Sequence, residues 1–512
     1  MYLLMNKNTP VALFHIVSDD YAADKRLELL QTYGKLPINT TNLNEWAETR
    51  KAYKHSRHLK QLVTKLGGDD IENYINLTHL ASINDTFWMK NAYDDTSWDR
   101  ISLYRNQFSE AISMLAFGTT CNNDIGLSTT SPELTCDGSF AKCFRKEKIH
   151  GQFGSDIFIY KRGGEIGQGI EPYCEILASE LANHISPHNS VSYSIKPLHQ
   201  KLASCCNLFT NEQIGYAPYA RITDLNNISL SAALRYYENI GSEEQFREMI
   251  VVDALCFNED RHAGNYGVLF DNDTLEIKKM APIFDLNVTF FRNAVAEDFS
   301  HIGDYMYHIS PKLGDDFTKT GHFAANSTTL QDRIKDVKDF SFSFRGDETF
   351  SLERVTQIET IVRKQAAAIL SDNCLKTTDV FFSQEEMDSI KKQNETKAAE
   401  KRLNKFMKIL DNMGLDNDIF VSRCCSTDNV QCFVEKDDAE IVIDFLTNKI
   451  TPYLNAKAAD YQTICDTDSN FARAFAQISK QWAKFNAPSR MEQIAQTIAN
   501  NTLQSFDSEY EP

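Results

Sequence analysis

The chain has no uncharged apolar stretch of about 18 residues, the length a membrane-spanning helix needs. It also has no long run of Lys or Arg. With a formal net charge of −18, sequence-independent binding to nucleic acid or to an anionic membrane is disfavoured, because that affinity comes from counterions released around basic clusters. The 12 cysteines are scattered, with adjacent pairs at Cys205-Cys206 and Cys424-Cys425. They lack the short paired spacings of a zinc site and the density of a disulfide framework, so reduced, buried thiols are expected. The opening MYLLMNKNTP has neither a basic leader nor an apolar core of signal-peptide length. No internal repeat or low-complexity linker is visible. These absences predict a soluble cytoplasmic protein that binds no nucleic acid directly and no membrane.

What is present is enough apolar material, 42% of residues, for a sizeable core, in a chain of 512 residues that exceeds the reach of a single core. The richest stretch is Phe257–Asp285, FNEDRHAGNYGVLFDNDTLEIKKMAPIFD. Upstream of it, Phe246, Met249, Ile250 and Leu255 recur at helical spacing, which places Asp260 in a loop after a helix end. YGVLF reads as a strand, DNDT as a turn and LEIKKM as the partner strand, a hairpin that returns Asp285 to the neighbourhood of Asp260. Phosphoryl transfer asks for a carboxylate beside an acceptor hydroxyl and for hard oxygen ligands that hold Mg²⁺ against nucleotide phosphates. Asp260 is the candidate for the first role, Asn265 and Asp285 for the second. Asp, Asn and Gly also gather in ordinary turns, but the joint arrangement favours ATP and Mg²⁺ as cofactors. His262 is read as supporting the Asp260 loop, and Arg261 as making a structural ion pair.

NEDRHAGN followed by APIFD resembles the HipA-like bacterial Ser/Thr kinases of the protein-kinase-like superfamily, and MNKNTPVALFHI and NDTFWMKN are similar to the N-terminal segments of large HipA-like proteins. The resemblance implies an α+β, two-lobed protein-kinase-like fold with Mg-ATP as donor, Asp260 as catalytic residue, Asn265 as metal ligand and Asp285 as main metal ligand. Phosphatidylinositol kinases share the D-R-H-x-x-N element, but PIFDLN departs from the setting of their metal-binding Asp. Such a kinase needs a strand Lys held by a helix Glu. In DIFIYKRGGEIGQGIEPYCEILASELANHI, Lys161 ends an apolar run and Pro172 opens a helix. Glu175 is the expected partner, with Glu171 and Glu180 as competitors. Gly163, Gly164, Gly167 and Gly169 read as a strand-to-helix loop rather than as a phosphate cradle.

The segment Thr135–Lys142 matches the family's phosphate-covering loop at Gly138, Ser139 and Lys142, with an ordinary surface hairpin as the alternative. Phosphorylation of Ser139 would set negative charge against ATP. CCNLFT, Cys205–Thr210, is placed as the adenine-binding linker, with Phe209 as its cofactor-binding residue; a buried edge strand is the other reading. The expected division is an N-terminal α/β unit over residues 1–125, a small lobe over 126–215, a large lobe over 216–375 and a mainly helical C-terminal extension over 376–512. Phe87, Trp88 and Trp98 are read as core. SLERVTQIETIVRKQAAAIL reads as an amphipathic helix, and one long helix is expected between a Ser383–Glu386 capping box and Gly414. Two short strands follow at IFVSRCC and VQCFVE, then helices ending near Phe506. The protein is thus expected to phosphorylate a protein substrate, with a regulatory partner protein and a toxin-type role implied by the resemblance. A noncatalytic pseudokinase and a lipid kinase are the alternatives.

Overall fold

The computed structural model describes residues 1–19, 22–51, 59, 63–64, 70–119, 131–136, 140–148, 156–164, 168–223, 228–382 and 384–487. It divides into two compact units, Met1–Phe381 and Phe382–Pro512, each built of helices and antiparallel sheet.

The first unit opens with strands β1 (Tyr2–Asn6), β2 (Thr9–Asp19), β3 (Ala22–Thr32) and β4 (Phe87–Asn91), in the antiparallel order β3-β2-β1-β4. Phe87, Trp88 and Trp98 are fully buried there. Beside them, the buried Arg50 pairs with Asp85 and donates to the carbonyls of Leu80 (2.9 Å) and Phe87 (3.1 Å). The pair and the two carbonyls offset the cost of burying this cation.

A second antiparallel sheet holds β5 (Lys142–Glu147), β6 (Asp156–Arg162), β7 (Ser194–Leu198) and β8 (Lys201–Asn207), ordered β5-β6-β8-β7. Its register sets Lys161 between Lys142 on β5 and Ser204 on β8. Helix α1 (Glu171–Ile185) packs under this sheet with Pro172 in its first turn, where the missing N–H has no helical partner to lose. The return from β6 to α1 needs glycine at Gly163, since a Cβ there would lie 2.1 Å from the Gly169 carbonyl oxygen. Gly167 lies outside the described residues.

The helical lobe is centred on α2 (Glu243–Cys256), which is buried nearly throughout and ends where Phe257 turns to φ +54. Beyond the loop, β10 (Gly267–Asp271) and β11 (Ile277–Met280) form the expected hairpin and β9 (Ile214–Pro218) completes a three-stranded sheet. Helices α3 (Phe317–Ala324) and α4 (Leu352–Ile369) pack on α2, and the apolar face of α4, with Val355, Ile358, Val362 and Ile369, joins the same core.

The second unit has α5 (Gln384–Asp411), then a five-stranded antiparallel meander: β12 (Phe420–Cys425), β13 (Val430–Lys436), β14 (Ala439–Asp444), β15 (Lys449–Leu454) and β16 (Lys457–Ala458). Helix α6 (Ser469–Phe485) follows, and Leu403, Phe406 and Leu410 of α5 meet Trp482 of α6 over the sheet. The sequence reading expected two strands here. It passed over β14, whose A-E-I-V-I-D alternation buries Ala439, Ile441 and Ile443, and β15, because charged residues and left-handed turns at Asp437, Asn448 and Asn455 interrupt the apolar signal. Gly414, φ +62, lies just beyond α5, whereas Ser383 and Phe506 lie outside the described residues.

No disulfide joins the described cysteines. Cys143, Cys174, Cys205, Cys206, Cys256 and Cys432 are buried, but Cys374, Cys424 and Cys425 are exposed, so the expectation of buried thiols fails for these three. Cys424 and Cys425 lie on the edge strand β12, which one side of the sheet leaves uncovered. Among the described residues no helix is long and apolar enough to cross a membrane.

Candidate active site

Lys161 sits near the end of β6 with its ammonium between two carboxylates, 2.9 Å from Glu175 Oε1 and 2.7 Å from Asp285 Oδ1. Of the candidate glutamates, Glu175 makes this pair. Glu171 instead accepts from Arg292 (2.9 Å) and from the Gly164 N–H (3.1 Å), and Glu180 accepts from Ser343 (2.7 Å). Ser204 Oγ donates to the other Glu175 oxygen, so the buried carboxylate has a partner on each side. The Lys161 ammonium also stands 5.6 Å from the centre of the Tyr193 ring. Burial alone would lower the amine's pKa, but Asp285 and Glu175 outweigh it and hold the pKa well above its usual value. Burial would likewise raise the Asp285 carboxyl, yet Lys161, with Lys142 and Arg261, brings it down to about 2. Asp285 has a left-handed backbone, φ +58, a conformation a non-glycine residue keeps only where its surroundings enforce it.

The loop after α2 is organised by one guanidinium. Arg261 is 2% exposed and forms a bidentate pair with Asp253 of α2, at 2.8 and 2.9 Å. Its remaining donors reach the carbonyls of Asn265 and Phe284, both at 2.7 Å, so the same side chain fixes the loop and the residue preceding Asp285. Asn258 adds a hydrogen bond to Asp253 (2.8 Å) and receives the Asp260 N–H (3.0 Å). Asn265 Nδ2 donates to the Asp260 carbonyl at 2.9 Å, and His262 Nδ1 accepts the Gly264 N–H at 3.0 Å. His262 therefore shapes the loop, as does the Arg261 ion pair.

Asp260, His262, Asn265 and Asp285 line one cleft with Lys142, Lys161 and Phe209, a cavity of about 380 Å³. Gly138 and Ser139 lie outside the described residues. Phe209 packs with Tyr216 (5.6 Å) and Phe284 (5.3 Å) to give the cleft an aromatic wall. The linker is anchored on both sides, by the Leu208 N–H to the Ile157 carbonyl (2.8 Å) and by Thr210 Oγ1 to the Ile83 carbonyl (2.6 Å). Thr49, Arg50, Ser82 and Asn84 from the N-terminal region complete the lining, and Asn84 O accepts the Tyr216 N–H at 2.7 Å.

Sequence reasoning missed Ser204, Tyr193, Asp253 and Lys312, whose ammonium lies 2.7 Å from Asp260 Oδ1. Asp253 carried a usable signal, a lone carboxylate inside the apolar run MIVVDALCF, where a buried charge requires a partner. Ser204 and Tyr193 depend on strand register and Lys312 on a distant loop, and none of these shows in local pattern.

No protein-family model and no curated protein matches the chain. Among solved structures, the chain is similar to a Helicobacter pylori proinflammatory kinase, CtkA, at 16% identity over 44% of this chain and 90% of that one, with a TM-score of 0.34. It is also similar to HipA of Shewanella oneidensis MR-1, from a toxin–antitoxin complex of HipA, HipB and operator DNA, at 12% identity over 72% of this chain and 96% of that one, with a TM-score of 0.42. The fold is α+β, built of helices and antiparallel sheets.

Proposed function

We propose that the chain is an ATP- and Mg²⁺-dependent kinase that phosphorylates a Ser or Thr hydroxyl of a protein. The observation that carries this reading is Lys161, a buried strand ammonium held by Glu175 and reaching Asp285 in the cleft that also contains Asp260 and Asn265.

The donor set suits the cofactor. Mg²⁺ prefers hard oxygen ligands and takes only one or two carboxylates from a protein beside phosphate oxygens. Asp285 and the Asn265 side-chain oxygen supply that, and no group of three or more His, Cys, Asp or Glu among the described residues forms a self-sufficient metal cage. When bound, Mg-ATP supplies the phosphoryl group and a metal that offsets phosphate charge. The chain's own residues then have separate tasks. Lys161 binds the α- and β-phosphates and is kept in position by Glu175 and Ser204. Phe209, Tyr216 and Phe284 give the base an apolar wall. Asp260 orients the acceptor hydroxyl and receives its proton. Arg261 holds the Asp260 and Asp285 segments in one frame. With reduced thiols and ATP as donor, the cytoplasm is the natural setting.

Incubation with γ-labelled ATP, Mg²⁺ and a whole-lysate substrate pool tests this reading. Wild type should transfer label to protein Ser or Thr. Asp285→Ala and Asp260→Ala should each lose about a thousandfold or more, the scale at which positioned electrostatic groups act. Transfer that survives both substitutions would move the centre elsewhere. Transfer confined to phosphoinositide would favour the lipid-kinase reading.

A further inference from the structure

The catalytic loop DRHAGN contains no lysine, and the side chains of its Arg and His are already committed. Arg261 is buried against Asp253 and two carbonyls, and His262 accepts a backbone N–H through Nδ1. Lys161 is engaged with Glu175 and Asp285. The cation beside Asp260 comes instead from a separate loop: Lys312 Nζ lies 2.7 Å from Asp260 Oδ1, with side chains 54% and 30% exposed respectively.

That loop is built to hold Lys312 in place. Leu313 is 5% exposed and belongs to the main core of the helical lobe. Gly314 has φ +105 and packs so closely on α3 that a Cβ would lie 2.3 Å from Thr320 Oγ1, a position only glycine fills comfortably. Two residues later, Asp316 caps α3 by accepting the Lys319 N–H at 3.0 Å and also takes the Thr377 N–H at 3.0 Å. The lysine backbone is therefore anchored by a buried neighbour, a left-handed glycine and a helix cap, while its side chain reaches out to the Asp260 carboxylate.

Resting on the kinase reading above, we propose that Lys312 is the charge-stabilising residue at the acceptor end of this cleft. Its ammonium holds the Asp260 carboxylate in orientation and faces the negative charge of the transferring γ-phosphoryl, a task that the loop's own residues leave unfilled. Lys161 then serves the α- and β-phosphates and Lys312 the γ-phosphoryl, with Lys142 lining the cleft beside Lys161.

The test compares binding of Mg-ADP and of Mg-β,γ-imido-ATP by calorimetry in wild type, Lys312→Ala and Lys312→Arg, together with single-turnover transfer. Lys312→Ala should weaken the triphosphate analogue by about tenfold while ADP affinity stays within about twofold, and transfer should slow by about thirtyfold or more. Lys312→Arg should recover most of both, because its charge and reach are similar. Equal weakening of both nucleotides, or no change in either, would overturn the assignment. Faster transfer by Lys312→Ala would also overturn it, and would make the ion pair a latch over Asp260. If wild type binds neither nucleotide, the kinase reading itself fails, an outcome distinct from nucleotide binding that ignores residue 312.

Discussion

The interior of the Met1–Phe381 unit holds Lys161, Glu175, Glu248, Asp253 and Arg261, whereas in the Phe382–Pro512 unit the one buried polar residue among the described residues is Thr396. Both units have apolar cores of large side chains, so the difference is not one of packing material. Burying an ion pair costs several kcal/mol per ion in desolvation, and well-packed apolar residues of similar size often do as well or better for stability. A chain that needed only a stable fold would therefore have little reason to keep so many charges inside. In the first unit Glu248 pairs with Arg333, while the others bear on one cleft: Arg261, held by Asp253, joins two loop carbonyls and Lys161 joins a helix to Asp285. Among its described residues the second unit buries no charged side chain.

The comparison is broken most severely by removing half of a buried pair. Asp253→Ala would leave the Arg261 guanidinium buried without its bidentate partner and should cost about 3 to 5 kcal/mol in urea unfolding. A loss under about 1 kcal/mol would mean that the two carbonyl contacts already satisfy the cation, and that the charge pair is dispensable to the loop.

A smaller effect concerns pH. Glu133 is 2% exposed; its Oε1 accepts the Phe144 N–H at 3.0 Å and its Oε2 is buried without a partner among the described residues. Burial pushes this carboxyl up to about 7. A raised carboxyl pKa favours the protonated form in the folded state. Its stabilising contribution is thus complete below the unfolded value near 4.3 and is lost as pH rises through about 7, a span worth about 4 kcal/mol. Glu133→Gln keeps the hydrogen bond and removes the titration. It should match wild type near pH 4 and exceed it in stability at pH 8. Identical pH profiles for the two proteins would place the ionisation elsewhere.

What could be read before any coordinates follows the same division. The loop carrying Asp260 and Asn265, the hairpin and the strand carrying Lys161 are local patterns, and each was legible from residue type and spacing. The choice between Glu171 and Glu175 was not, because both fall in the first turns of α1 and only the β6–β8 register shows which one faces Lys161 and Ser204. Lys312 could not be found at all by periodicity, since its partner lies 52 residues away. In the second unit the alternation of β14 went unread because charged residues at Glu440 and Asp444 interrupt its apolar positions. Helices α4 and α5 announced themselves through apolar spacing and stop signals, because a helix writes its packing face into its own sequence.

The smallest expected effect lies on the surface of the second unit, where Lys392 pairs with Asp428 and the two side chains are 57% and 69% exposed. In water the attraction is weak, holding two mobile side chains costs entropy, and salt screens what remains. Lys392→Ala should therefore lower stability by no more than about 1 kcal/mol at low ionic strength, and by still less in 0.5 M NaCl, where the screening length falls to roughly 4 Å. Thr396, one turn further along α5, keeps its Oγ1 hydrogen bond to the Thr427 carbonyl at 2.9 Å, so the helix remains attached beside the lost pair. A salt-independent loss above about 2 kcal/mol would contradict this. It would show that the second unit also depends on charge for its architecture, and the contrast with the cleft-bearing unit would no longer mark where the chemistry lies.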